Sequence, residues 1–66
     1  MRVQINGEER DIDAGATLAS LVAELGLGER RIAVELNHGV VRRDRWPAVE
    51  LRDHDLVEIV QFVGGG

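Results

Sequence analysis

The stretch Leu56-Val57-Glu58-Ile59-Val60-Gln61-Phe62 is the strongest constraint on what this chain can fold into. Successive side chains of a strand point to opposite faces. Val57 and Ile59 therefore fall on one face, and Leu56, Val60 and Phe62 on the other, so the segment is apolar on both parities. A strand of that kind belongs in the interior of a sheet, flanked on both edges. Any acceptable fold must supply it with two neighbours and a cover for at least one face.

The neighbours are readable upstream. Val3-Gln4-Ile5 alternates apolar and polar residues and runs into Asn6-Gly7, the dipeptide best suited to the positive φ angles of a type I′ hairpin turn. A return strand over residues 9–13 has Ile12 as its one apolar side chain and is otherwise charged, which suits an edge that must discourage further pairing. Ile32, Val34 and Leu36 alternate with Ala33, Glu35 and Asn37 as a half-buried strand. Asn37-His38-Gly39 then makes a turn into the short strand Val40-Val41. Residues 42–49 hold the sole Pro and Trp and read as an irregular loop, and Asp53-His54-Asp55 reads as a further turn.

The cover is a helix. Leu18, Leu21, Val22 and Leu25 recur at i, i+3, i+4 and i+7, one stripe of a 3.6-residue period. Thr17 stands where an N-cap hydroxyl is needed, and Gly26 or Gly28 can take the left-handed conformation that closes the C-terminus. Hairpin, helix, strands and final central strand have one natural solution: the last strand lies parallel beside the first, with the helix across one face. The expected fold is α+β, a β-grasp with a mixed sheet of about four or five strands and one main helix. Residues 1–62 form the domain, and residues 63–66 form a flexible glycine tail.

At 66 residues the chain makes one small domain, and domains of this size bury only about 60% of the surface their unfolded chains expose. It has no cysteine, so neither a disulfide nor a zinc-thiolate site can supplement the core, and no thiol of the chain can carry sulfur. The absence of cysteine, and an N-terminus MRVQINGEER that is neither a leader nor the start of a spanning helix, lead to the expectation of a soluble cytoplasmic protein away from membranes. Twelve acidic against eight basic residues give a net charge of -4, and every basic residue is an arginine. Nucleic acid is therefore not an expected partner. The local group Arg42, Arg43 and Arg45, interrupted by Asp44, reads as a solvated loop, with docking to an acidic partner as the alternative.

Enzymatic chemistry finds no constellation. His38 and His54 lie in turns without neighbours at metal-ligand spacing. Ser20, the only serine, lies within the helix and outside any G-x-S-x-G context. Glu8-Glu9 and Asp53 with Asp55 are solvated turn carboxylates. The terminal Gly64-Gly65-Gly66 is not a phosphate loop, because no helix follows it. The expectation is a protein that is not an enzyme and binds neither metal nor cofactor.

The reactive group left is the Gly66 carboxylate. Residues 63–66, fully extended, span at most about 13–14 Å, and residues without Cβ can thread a channel too narrow for others. Gly64 and Gly65 are thus the thread and Gly66 the acceptor. A carboxylate is a poor electrophile until it is activated, most economically as an acyl adenylate made from ATP by another enzyme, after which a sulfur nucleophile can replace AMP. Val60 and Phe62, on the face away from the helix, are candidate docking residues, the alternative being burial against the loop around Trp46. Trp46 is a candidate anchor for a partner, the alternative being packing against Pro47 and neighbouring strands.

The order and spacing of Ile5-Asn6-Gly7, Gly15-Ala16-Thr17-Leu18, Ile32-Ala33-Val34-Glu35-Leu36-Asn37, Val41-Arg42, Arg45-Trp46, Leu51, Asp53-His54-Asp55, Val57-Glu58-Ile59-Val60 and Val63-Gly64-Gly65-Gly66 resemble the ThiS family. These are the sulfur carriers of thiamine biosynthesis, within the ubiquitin-like β-grasp group. His54 is a departure, since the family often has glycine between the two aspartates. The resemblance implies adenylation of Gly66 by an E1-like (ThiF-type) enzyme using Mg-ATP, and conversion to a thiocarboxylate with sulfur drawn from cysteine through a desulfurase. It implies donation of that sulfur to thiazole synthase (ThiG-type), which also takes a deoxyxylulose phosphate substrate and a glycine-derived imine. The carrier is then a cosubstrate. Rival readings are a molybdopterin synthase small subunit, a carrier for tRNA thiolation, a ubiquitin-like modifier joined to lysines, and a noncovalent binding module.

Overall fold

The computed structural model describes residues 1–62; Gly64, Gly65 and Gly66, with Val63, lie outside the described residues. Five strands form one sheet in the order β2-β1-β5-β3-β4, where β1 is Arg2–Ile5, β2 Glu8–Asp11, β3 Ile32–Leu36, β4 Gly39–Val41 and β5 Leu56–Gln61. The strand that is apolar on both parities, β5, occupies the centre. It runs parallel to β1, with Gln4 opposite Leu56 and Ile5 opposite Val57, and antiparallel to β3 from Ile32 opposite Gln61 to Leu36 opposite Val57. This is the ubiquitin-like β-grasp arrangement.

The β1–β2 hairpin closes on Asn6 (φ 50°) and Gly7 (φ 85°), both in the left-handed region that a type I′ turn requires. The return strand begins one residue earlier than its charge pattern suggests, and Ile12 lies just beyond it, buried in the core, its N–H donating to the Met1 carbonyl at 2.8 Å. The helix α1, Leu18–Glu24, carries a capping box. Thr17 Oγ1 accepts from the Ser20 N–H, and Ser20 Oγ accepts from the Thr17 N–H. Ser20 is thus a capping residue. Of the two candidate terminators, Gly26 takes the positive φ (75°).

Leu18, Leu21 and Val22 of α1 pack on the inner face of the sheet, where Val3, Ile5, Ile32, Val34 and Val57 are also buried. Leu51 completes this core, together with Trp46. Residues 42–49 are more ordered than an irregular loop: Arg43–Ala48 form a 3-10 helix with Pro47 inside it. Its i+3 hydrogen bonds run from Arg45 N–H to the Arg42 carbonyl (2.9 Å) and from Val49 N–H to the Trp46 carbonyl (3.3 Å). Proline is tolerated because its absent N–H is not called on in this short segment.

Two asparagines at hairpin tips hold β5 from both sides. Asn37 (φ 50°) accepts from the Leu56 N–H on Oδ1 (3.0 Å), and its Nδ2 donates to Asp55 Oδ1 (3.1 Å). On the other side the β1–β5 ladder ends with Asn6 N–H on the Val57 carbonyl at 2.9 Å. The Asn6 side chain then continues it: Oδ1 accepts from the Ile59 N–H (2.7 Å) and Nδ2 donates to the Ile59 carbonyl (3.2 Å). A side-chain amide here stands in for the next peptide group of β1.

Candidate functional site at the end of the central strand

The last described pairing of the chain is Phe62 N–H on the Arg31 carbonyl, at 2.9 Å. The surface around it comes from β5, from the segment leading into β3 and from the 3-10 helix.

Val60 and Phe62 lie on the outer face of the sheet, as their parity requires, and are 52% and 58% exposed. Burial against the Trp46 loop does not occur. Val40, on β4, is the other large exposed apolar side chain among the described residues, at 72%. Val60 lies opposite Ala33, and the next outer-face pair is Glu58 opposite Glu35. The result is an apolar surface with two facing carboxylates, directly upstream of the chain's exit.

Trp46 is a correction to the sequence-based expectation. It is 4% exposed, part of the core, and its Nε1–H donates to the Val41 carbonyl at 2.9 Å. With its ring enclosed and its donor used, Trp46 offers no anchor to a partner. Its outer contact is the guanidinium of Arg43, 4.5 Å from the ring centroid, a cation–π arrangement.

Arg43 was read only as part of a charged loop, and the structure gives it a definite position. Its Nη1 donates to the Gly28 carbonyl (2.8 Å) and its Nη2 to the Arg30 carbonyl (2.6 Å). One guanidinium thus ties the segment after α1 to the 3-10 helix. Arg30, Arg31, Arg43, Glu29, Ile32 and Phe62 line a broad, open depression of about 430 Å³ at the root of the exit. No carboxylate among the described residues is within ion-pair distance of Arg30, Arg31 or Arg43, whereas Arg42 approaches Asp44 at 3.8 Å. Nothing local in the sequence joins residues 30 and 31 to residue 43, because the connection runs through the folded sheet.

At the opposite end of β5, the turn 53–55 is tight although His54 stands between the aspartates. His54 takes φ 69°, the conformation that explains a preference for glycine there, and Asp55 N–H donates to the Arg52 carbonyl at 3.1 Å. Asp53 Oδ1 accepts from the Arg2 N–H at 2.7 Å, and this bond chiefly holds its carboxyl below the ordinary value of 3.8. His54 Nε2 is 3.3 Å from Asp53 Oδ2 on the exposed surface. No group of three or more His, Cys, Asp or Glu side chains suited to a metal ion occurs among the described residues, and none of their helices is long and apolar enough to cross a membrane.

The fold defines a ubiquitin-like β-grasp protein whose central strand ends beside an exposed apolar face. The ThiS family model matches residues 3–66, and the chain belongs to the ThiS family. It is 39% identical over 66 residues to the sulfur carrier protein ThiS of Bacillus subtilis, covering 97% of this chain and 98% of that one. It is 42% identical over 66 residues to a thiazole synthase of Magnetococcus marinus, where it spans 100% of its own length but 20% of the relative's. The crystal structure of a thiamine biosynthesis protein (ThiS) from Geobacter metallireducens superposes with a TM-score of 0.84 at 30% identity, with 100% of both chains covered.

Proposed function

We propose that the chain is a sulfur carrier of thiamine biosynthesis whose Gly66 carboxylate bears the sulfur. The observation that carries this reading is the match to the ThiS family over residues 3–66. The Gly66 carboxylate attacks the α-phosphorus of ATP on an E1-like (ThiF-type) adenylating enzyme, and pyrophosphate leaves. The acyl carbon then accepts a sulfur nucleophile, supplied from cysteine through a desulfurase. The bond to AMP breaks; because the desulfurase hands the sulfur on as a persulfide, the first acyl product is a disulfide, and a thiol reductant cleaves its S–S bond to leave the thiocarboxylate. With no cysteine in the chain, the sulfur cannot arrive through one of its own thiols. Magnesium and ATP belong to the activating enzyme, and the carrier acts as a cosubstrate in the cytoplasm rather than as a catalyst.

Thiazole synthase (ThiG-type) is the proposed acceptor. A segment like this chain within a protein named thiazole synthase supports a functional pairing of the two. Gly64 and Gly65 serve as the thread and, with residues 1–62 as the docking body, Val60 and Phe62 as the apolar contact. The test is the intact mass after incubation with the adenylating enzyme, Mg-ATP, cysteine, a desulfurase and a thiol reductant, beside a control lacking ATP. Replacement of one oxygen by sulfur, mapped to the C-terminal peptide and dependent on ATP, is expected. An unchanged mass with a competent enzyme set overturns the reading.

A further inference from the structure

Charge is distributed very unevenly over this chain. Segments 29–31 and 42–45 hold five of the eight arginines and two acidic residues, while the rest holds three arginines and ten acidic residues. Arg43 brings the two segments together through the Gly28 and Arg30 carbonyls, so Arg30, Arg31 and Arg43 line one depression, with Glu29 as its one carboxylate, on a chain that is acidic overall. Phe62 lines the same depression as Arg30, Arg31 and Arg43.

Reach makes this arrangement relevant to association. Phe62 is bonded to Arg31, and four further residues extend at most about 14 Å. An active site that acts on Gly66 therefore lies within that distance of Phe62. A protein large enough to enclose the glycines must rest on the surface surrounding their root. From this we infer that Arg30, Arg31 and Arg43 form a cationic rim that docks a complementary acidic surface of the adenylating enzyme, beside the mouth of the channel that receives the glycines. This inference rests on the carrier reading above. The partner chemistry is a compact group of carboxylates on a protein, not a nucleic acid, because the ten acidic residues elsewhere would repel a polyanion extending beyond the rim. Rim charges of this kind act on encounter and on KM more than on the chemical step.

The rim residues differ in what they can tolerate. Arg43 braces two carbonyls and covers Trp46, so its substitution would disturb the fold. Arg30 and Arg31 contribute backbone carbonyls to the structure while their side chains are exposed, so they are the residues to change. The experiment is ATP–pyrophosphate exchange by the adenylating enzyme as a function of carrier concentration, for the unsubstituted protein, Arg31→Glu, Arg30→Glu/Arg31→Glu, and Arg10→Glu on β2. Arg10→Glu makes the same change in net charge as Arg31→Glu, on the far edge of the sheet. Expected at low salt is a rise in KM of about threefold for Arg31→Glu and about tenfold for the double variant, with kcat unchanged and the differences shrinking as salt is added. Arg10→Glu is expected to leave KM within experimental error. Equal effects of Arg31→Glu and Arg10→Glu would show a response to net charge alone and overturn the rim. No effect of the double variant on KM would overturn it too, as would a loss confined to binding of a nucleic-acid probe. Failure of the unsubstituted protein to support exchange at all is a separate result, and it refutes the carrier reading instead.

Discussion

Asn6 is the residue through which the β1–β2 hairpin holds the central strand β5, and its contribution can be worked out atom by atom. Its side chain makes two hydrogen bonds to Ile59, at 2.7 and 3.2 Å, and its backbone has φ 50°. Asn6→Asp retains an oxygen to accept from the Ile59 N–H and a side chain that tolerates the left-handed region, but loses the donor to the Ile59 carbonyl. The expected loss is about 1 kcal/mol, the usual net value of one such bond. Asn6→Ala loses both bonds and places a Cβ without a local polar partner at positive φ, which adds about 1 kcal/mol. Its expected loss is about 3 kcal/mol, a large part of the total for a domain whose stability is on the order of 3–10 kcal/mol. Urea unfolding with linear extrapolation measures both. Amide exchange supplies the local readout, because the Ile59 N–H has Asn6 Oδ1 as its partner on that edge. Protection of Ile59 should survive in Asn6→Asp and fall in Asn6→Ala by more than the global loss accounts for. Equal destabilisation by the two variants, or an Ile59 amide in Asn6→Ala that tracks global unfolding, would refute the view that a side-chain amide extends the parallel ladder.

Two further predictions follow from the charges on the sheet. Asp53 has its pKa depressed chiefly by the Arg2 N–H, so its folded value lies below its unfolded one. The associated stability is therefore present above the unfolded value of 3.8 and is lost as pH falls through the lower, folded value. The stability difference between the protein and Asp53→Asn should be constant near neutrality and narrow below about pH 4; a difference that does not change over that range in urea titrations would remove the Arg2 bond as its cause. Glu35 and Glu58 face each other across β3 and β5, and like charges in that position are unfavourable by roughly 0.2–1 kcal/mol. Glu58→Lys should raise the urea midpoint by an amount that declines with added salt, and a lowered midpoint would show that the pair is stabilised by something other than its solvent.

The parts of the fold legible in the sequence are those governed by short-range rules. Asn6-Gly7 announces its own turn through backbone conformation, and the Leu18, Leu21, Val22 stripe announces a helix through its period. β5 is central, as its long apolar run suggests, but only its inner parity is covered: Val57 is buried whereas Val60 and Phe62 on the outer face are exposed. The 3-10 helix was not legible: six residues with a proline carry no amphipathic period, and its order derives from Trp46 being taken into the core. Trp46 illustrates the difficulty at the candidate site, since a lone tryptophan next to arginines has the composition of an anchor and of a core residue alike. Only the enclosing of its ring and the bond to Val41 decide between them. Val60 and Phe62, by contrast, had their face set by parity alone. The grouping of Arg30 and Arg31 with Arg43 is not legible in the sequence, because their proximity depends on β3, β5 and the 3-10 helix being in place.

These observations bear on why the apolar residues of β5 are divided as they are. Val57 is fully enclosed beneath α1 and opposite Leu36, and Asn6 and Asn37 clamp the strand from its two flanks up to Ile59. Beyond Ile59 the described pairing is with the β3 side: Val60 with Ala33, Gln61 with Ile32, and Phe62 with the Arg31 carbonyl. The strand therefore changes from a core element to a surface element within a few residues, and its exposed apolar side chains begin where the support from β1 ends. Burying Val60 and Phe62 would require a second layer on the outer face, which the described residues, with their one α-helix on the other face, do not supply. Their exposure is thus a consequence of size and topology. The arrangement leaves exposed Val60 and Phe62 beside the depression that Arg30, Arg31 and Arg43 line, at the end of β5 where the support from β1 has stopped.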